Sequence, residues 1–119
     1  MCFDQRAFIM SKSFDDAWRK LGLNDEYLLD LCGNLCKNPK SGDEIPGSGG
    51  LRKIRVMLPG RGKRGGARVV YVDFAVIDTI YFFYVYAKNE KDNLTKTEIK
   101  ELHDLIKALE KELVEGKGV

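Results

Sequence analysis

Residues 51–88 read LRKIRVMLPGRGKRGGARVVYVDFAVIDTIYFFYVYAK and contain three predicted β-strands in succession. In the first strand, apolar and basic residues alternate with the period of two that is typical of a half-buried strand. Pro59–Gly66 is a glycine-rich loop, and Ala67–Val76 is the second strand. Asp78 supplies the turn into the third strand, Thr79–Lys88.

Helices are predicted before these strands. Arg6–Met10 has the pattern of a short opening strand, after which Ser11 or Ser13 can cap a first helix. Asn24 caps a second helix, which Pro39 ends because proline cannot continue the backbone hydrogen bonding. The apolar stripes of the two helices are Phe14, Trp18 and Leu21, followed by Leu28, Leu31, Cys32 and Leu35.

A third helix is predicted from Lys96 to Glu115. Thr95 and Glu98 have the spacing of a capping box, and apolar residues recur at helical spacing after it. The element order β-α-α-β-β-β-α predicts an α+β fold, in which a mostly antiparallel sheet packs against helices. At 119 residues the chain is expected to form one domain, residues 1–119.

The charge of the chain is concentrated in one segment. Leu51–Arg68 carries seven of the twenty Lys and Arg residues and no acidic residue, which leaves thirteen basic against eighteen acidic residues elsewhere. The net charge of +2 therefore describes a mildly acidic body with one cationic segment. Such a separation of charge favours a polyanionic partner.

The glycine-rich loop has the letters of a dinucleotide-binding motif. Gly60–Gly65 matches GxGxxG, but it leads into a β-branched strand and not into the helix that would bind a pyrophosphate. We therefore expect no nucleotide cofactor. The loop cations Arg61, Lys63 and Arg64 lie among glycines, so they can closely approach a phosphate backbone, unless they are simply the incidental charges of a solvated loop.

Two further observations favour polyanion binding. Lys53 and Arg55 share one face of the first strand of this segment, and Arg68 begins the next strand. Cations on paired strands are held in place better than those of a tail. Tyr84, Tyr86 and Lys88 have the same parity on the third strand, so exposed tyrosines beside cations could stack on unpaired bases.

The alternative for the aromatic residues is a place in the core. We favour the core for Tyr81, Phe82 and Phe83, and leave both interpretations open for Tyr86. Tyr71, three residues after Arg68, is a further candidate for stacking.

The sequence shows no metal site and no conventional nucleophile. Cys32 and Cys36 are four residues apart in a helix without a second ligand pair, so they are predicted to be small core residues. His103 is the only histidine and is predicted to lie at the surface or its boundary. The longest apolar run is too short to cross a bilayer, and the unpatterned cysteines are typical of the cytoplasm. We expect a cytoplasmic protein without membrane contact.

Four motifs together resemble the RelE superfamily of bacterial toxins along nearly the whole chain. In order, they are Leu51-Arg-Lys-Ile-Arg55, Pro59-Gly-Arg-Gly-Lys-Arg-Gly-Gly66, Gly66-Ala-Arg-Val-Val-Tyr71 and Tyr86-Ala-Lys-Asn-Glu-Lys91. The preceding Pro46-Gly-Ser-Gly-Gly-Leu-Arg-Lys53 is most similar to the HigB branch. The resemblance implies a small twisted sheet packed against helices. It also implies a metal-independent endoribonuclease of a type II toxin–antitoxin pair, which cleaves mRNA in the ribosomal A site and is silenced by a cognate antitoxin.

The resemblance also implies roles for single residues. Arg68 matches the arginine that contacts the scissile phosphate, and Lys53 and Arg55 match the strand that supplies a general base or phosphate contacts. Lys88 matches the basic residue that ends the last strand, and Lys91 is a further basic candidate for RNA contact. The chain has Asn89 where relatives place an arginine, and no tyrosine follows in its C-terminal segment. The proton-transfer groups therefore stay unassigned.

Two alternatives remain open at this point. The ParE branch of the same superfamily inhibits DNA gyrase and needs no ribonuclease site. A non-catalytic module that binds single-stranded nucleic acid would carry a similar basic surface.

Overall fold

The computed structural model describes residues 6–58, 66–87 and 94–117, which form five strands and three helices. The α+β class and the mostly antiparallel sheet that the sequence predicts are confirmed. The elements are β1 (Ala7–Met10), α1 (Lys12–Lys20), α2 (Asp25–Lys37), β2 (Asp43–Glu44), β3 (Leu51–Val56), β4 (Ala67–Phe74), β5 (Thr79–Ala87) and α3 (Lys96–Lys117).

The five strands form one sheet in the order β1-β5-β4-β3-β2. β1 pairs with β5 in parallel, with Ala7 opposite Thr79, and the other neighbours are antiparallel. The Arg6 guanidinium donates to the Asp73 carboxylate at 3.0 Å and to Asp78 at 3.3 Å, which fixes the start of β1 against the sheet. The Asp73 hydrogen bond raises the pKa of Arg6.

Two strands differ from the prediction. β2 is not among the predicted elements, and β4 is shorter than the predicted strand Ala67–Val76. Asp43 and Glu44 are both exposed, and two residues are too few to show an alternating pattern. The strand predicted to continue to Val76 ends at Phe74, because Ala75–Ile77 forms a turn of 3-10 helix. Asp78 then adopts a left-handed conformation at φ 52° before β5 begins.

Helices α1 and α2 pack on one side of the sheet, which we call the helical face. Ser11 caps α1 by accepting from the Phe14 amide at 3.0 Å, and its hydroxyl donates to the Phe83 carbonyl at 2.9 Å. Asn24 caps α2 in the same way, accepting from Tyr27 at 3.1 Å. The core on this face includes Phe14, Trp18, Leu31, Cys32, Leu35, Val69, Tyr71 and Phe82.

The cysteines of α2 lie in or beside this core, as predicted. Cys32 and Cys36 are both buried. Burial, with a smaller contribution from Cys36, raises the pKa of the Cys32 thiol to about 12. The thiol therefore stays neutral at ordinary pH and packs as a small apolar group.

The opposite side of the sheet, which we call the open face, is covered by α3 only in part. Thr95 and Glu98 form both hydrogen bonds of the predicted capping box, at 2.8 and 3.1 Å. Leu102 and Ile106 are buried in a cluster with residues of β3, β4 and β5. The strand residues in this cluster are Leu51, Val70, Val72, Phe74 and Phe83. None of the helices in the described ranges is long and apolar enough to span a membrane.

Tyr71 belongs to the core, so its predicted role as a stacking candidate is wrong. Its side chain is fully buried, and its hydroxyl donates to the Pro39 carbonyl at 2.8 Å and accepts from the Gly42 amide at 3.0 Å. A Cβ on Gly42 would lie 2.9 Å from this hydroxyl, so only glycine permits the close approach. Tyr71 thus ties the connection between α2 and β2 to the sheet.

Candidate functional site

Three of the predicted basic residues, Lys53, Arg55 and Arg68, lie close together on the open face. Arg55 on β3 is directly opposite Arg68 on β4, and Arg68 is directly opposite Tyr86 on β5. Lys53 lies two residues before Arg55 on β3, opposite Val70. Residues that are directly opposite in antiparallel strands point to the same face, so Lys53, Arg55 and Arg68 form one surface, which we call the basic patch.

The alternation along β3 explains this placement. Ile54 and Val56 pack against the core of the helical face, which leaves the intervening residues for the open face. On that face Leu51 is buried near α3, Lys53 is half-buried, and Arg55 is exposed. The basic patch therefore begins where the cover provided by α3 ends.

Arg52 shows the contrast, because it points to the other side of β3. Its Nη1 donates to the Gly42 carbonyl at 2.8 Å, and its Nη2 lies 3.6 Å from the Glu44 carboxylate. These contacts hold β2 against β3. The charge of Arg52 thus has a structural use, although it lies next to Lys53 in the sequence.

Arg55 and Arg68 have no such carboxylate. Within the described ranges, neither forms a salt bridge, although the two guanidinium groups are on directly opposed residues. Like charges in this position destabilise a sheet. The pair therefore costs stability unless an anion binds between or beside the two side chains.

The Arg68 guanidinium carries a second unusual feature. Its Nη1 is buried, and no acceptor for it exists among residues 6–58, 66–87 and 94–117. Leaving a buried donor unsatisfied costs about 1–3 kcal/mol. A phosphate oxygen could supply the missing acceptor, and arginine binds phosphate through two parallel hydrogen bonds.

Gly66, which precedes β4, lies beside the basic patch. A Cβ at this position would lie 3.4 Å from Cγ of Arg55 and 3.4 Å from the Val56 carbonyl oxygen. These are ordinary van der Waals distances, so Gly66 lies against the stem of Arg55, but the available space would also admit a side chain.

Potential proton-transfer groups are few in this part of the molecule. Tyr86 is half-buried, and its hydroxyl oxygen has almost no solvent contact. Asp43 is exposed and directly opposite Lys53. His103 lies farther along α3 with its ring against Gly49, where a Cβ would be 2.7 Å from His103 Cδ2. Its side chain is 37% exposed, so the predicted boundary position is confirmed.

The remaining predicted residues divide into two groups. Phe82 and Phe83 are buried as expected. The half-buried Tyr81 packs against Phe83 with ring centroids 4.6 Å apart and ring planes tilted by 35°. Tyr84 is directly opposite Val70 and is 37% exposed. Five predicted RNA-contacting or catalytic residues lie outside the described ranges: Arg61, Lys63, Arg64, Lys88 and Lys91.

Comparison with known proteins supports the resemblance seen in the sequence. Residues 6–115 match the family model described as the RelE toxin of the RelE/RelB toxin–antitoxin system. The chain belongs to the RelE toxin family. Among solved structures, it is similar to a double arginine-to-alanine mutant of E. coli toxin RelE in the free state. The TM-score is 0.55 at 16% identity, with 74% of this chain and 88% of that chain covered. At this identity, the RelE structure supports the fold alone.

Proposed function

We propose that this RelE-family chain is a ribosome-dependent mRNA interferase of the HigB branch, which cleaves mRNA in the ribosomal A site. The observation that carries the proposal is the opposed pair Arg55 and Arg68, with the buried Nη1 of Arg68 lacking an acceptor in the described ranges. An RNA phosphate would satisfy both features at once. The family membership agrees with such a role for the site.

The chemistry of RNA cleavage fits a site rich in cations. The 2′-oxygen of the substrate attacks the adjacent phosphorus and gives up its proton, while the bond from phosphorus to the 5′-oxygen breaks and that oxygen takes up a proton. The products are a 2′,3′-cyclic phosphate and a 5′-hydroxyl end. Negative charge builds up on the phosphate oxygens during this step. The sheet holds Arg55 and Arg68 in position before the reaction begins. Their guanidinium groups can therefore stabilise that charge without reorienting, whereas water molecules would first have to reorient around it. No metal ion or cofactor is part of this proposal.

The positive charge of the basic patch also indicates the chemistry of the antitoxin that silences the toxin. A cognate antitoxin that presents an acidic segment would complement the basic patch and occlude it. Such a complex should dissociate more readily as the salt concentration rises. A complex whose affinity is independent of salt, with the partner far from β3 and β4, would contradict direct occlusion.

The test of the proposed function is cleavage mapping on programmed bacterial ribosomes. The full chain is incubated with ribosomes that hold a defined message and an empty A site, and primer extension locates the cuts. We expect cuts within the A-site codon. In the matched control, a tRNA fills the A site and should protect the message.

Two other outcomes would support the alternatives. Intact message together with inhibited DNA gyrase supercoiling would favour a ParE-like activity and contradict the interferase. Tight, salt-sensitive binding of free RNA without cleavage on ribosomes would favour a nucleic-acid-binding module. Either result would also remove the catalytic role proposed for Arg68.

A further inference from the structure

A cavity of about 180 Å³ opens on the open face beside the basic patch. Four of its lining residues are apolar. Ile45 and Pro46 come from the loop after β2, Leu94 precedes α3, and Ile99 lies in its first turn. The other two are Lys53 and Tyr86. The cavity thus combines an apolar wall with one cation and one aromatic ring.

Its position relative to Arg68 follows from the register of the sheet. Tyr86 on β5 is directly opposite Arg68, and Lys53 on β3 is directly opposite Val70, two residues further along β4. The cavity is therefore lined from the two strands that flank β4, and one of its lining residues, Tyr86, is the direct cross-strand neighbour of Arg68. Two residues along a strand span roughly 7 Å. A phosphate at Arg68 and a group in the cavity could thus belong to one nucleotide.

The size and lining of the cavity narrow the choice of ligand. Pockets for drug-sized molecules start at about 300 Å³, so this cavity suits a single ring system. A free phosphate would gain nothing from the apolar wall, and an aliphatic chain would gain nothing from Lys53 or the adjacent arginines. A planar, partly polar ring joined to a phosphate uses all of these groups.

We propose that this cavity is a nucleobase subsite, which accepts the base of the nucleotide whose phosphate contacts Arg68. The inference deepens the proposed function and rests on the RNA-binding role of the basic patch. The base packs against Leu94 and Ile99, while Tyr86 and Lys53 contact its ring and its polar edge. The subsite thus provides contacts through which the site distinguishes one base from another.

Nuclear magnetic resonance on the full chain tests the subsite without requiring cleavage. A sample with labelled methyl groups and arginine side chains is titrated with adenosine 5′-monophosphate, cytidine 5′-monophosphate or ribose 5-phosphate. The nucleotides should shift the methyl signals of Ile45, Leu94 and Ile99, whereas ribose 5-phosphate should shift only arginine signals. At least one nucleotide should bind about tenfold more tightly, which is about 1.4 kcal/mol and within the range of base stacking.

A variant that fills the cavity provides the matched comparison. Ile99→Phe should abolish the tenfold preference for nucleotides and leave the affinity for ribose 5-phosphate unchanged. Leu105→Phe, at a position on α3 that is 45% exposed, should change neither affinity. If Ile99→Phe unfolds, Leu94→Phe provides the same test, because Leu94 precedes the helix.

Equal affinities for nucleotides and ribose 5-phosphate, or unmoved methyl signals at saturating nucleotide, would overturn the subsite. That failure would leave A-site cleavage intact, since the mapping on ribosomes measures it separately. If nucleotides bind in the cavity but the chain leaves the message on ribosomes uncut, the nucleobase subsite is supported and the proposed interferase activity is contradicted.

Discussion

The two faces of the sheet differ in whether their apolar side chains are covered and their charged side chains have partners. On the helical face, α1 and α2 cover apolar residues, and Arg52 on that side of β3 has a carbonyl and a carboxylate as partners. On the open face, α3 covers the half that contains Val72 and Phe74, and the other half carries two directly opposed arginines. In the half of the open face that α3 leaves uncovered, two like charges are held side by side at a cost in stability. Such a cost is typical of a binding site.

The largest effect is expected from the helical face. Phe82 is fully buried, with its ring centroid 5.0 Å from that of Phe14. Phe82→Ala should lower the free energy of unfolding by about 3–5 kcal/mol, since it removes apolar contacts and leaves a cavity. Urea denaturation measures the change. Val76→Ala, at a position that is 82% exposed, is the control and should change stability by less than about 0.5 kcal/mol.

The dependence of stability on pH tests whether solvent is excluded from the core on the helical face. The pKa of Cys32 is about 12 in the folded chain, so the folded state keeps a proton that the unfolded state releases near pH 9. The contribution of this group to stability should therefore be constant below pH 8 and fall as the pH rises from about 9 towards 12, by up to about 1.4 kcal/mol per unit. Burial also raises the pKa of Tyr71, which acts in the same direction.

The matched variant for the pH series is Cys32→Ala. It should reduce the slope of stability against pH between pH 9 and 10.5, while the contribution of Tyr71 remains. Identical slopes for the two proteins would show that the thiol is not held neutral by burial.

A smaller effect, of opposite sign, is expected from the open face. Arg55→Met removes one of two opposed charges and keeps most of the side-chain volume, so the free energy of unfolding should rise by about 0.2–1 kcal/mol. Cleavage on ribosomes should fall in the same variant. Arg52→Met is the matched control and should instead lose about 1 kcal/mol, because it breaks the bond to Gly42. A loss of stability in Arg55→Met would contradict the proposed cost of the arginine pair.

Much of the fold could be predicted because its signals are local. Caps at Ser11, Asn24 and Thr95 and the apolar stripes determine where the helices begin and which sides are buried. The alternation along β3 likewise separated Lys53 and Arg55 from Arg52. The parallel pairing of β1 with β5 could not be predicted, since it joins residues about seventy positions apart, as does the contact of Arg6 with Asp73.

The arrangement of the site could be predicted only in part. Residue types and parity indicated a basic face, but the long loop between β3 and β4 leaves their register undetermined, so the pairing of Arg55 with Arg68 had to come from the structure. The burial of Tyr71 also depends on a close tertiary contact, the one between its hydroxyl and Gly42. The cavity at Tyr86 joins four separate segments, and no local pattern predicts such a meeting.

The most direct test of the account is the activity of Arg68→Ala on programmed ribosomes, measured beside its thermal unfolding. Removing a preorganised contact to the reacting phosphate typically costs about 3–4 kcal/mol, so A-site cleavage should fall by about two to three decades. Arg19→Ala, at an exposed position on α1, is the control and should cleave normally. The unfolding temperature of Arg68→Ala should equal or exceed that of the unmodified chain. Undiminished cleavage by folded Arg68→Ala would contradict the claim that this arginine binds the scissile phosphate.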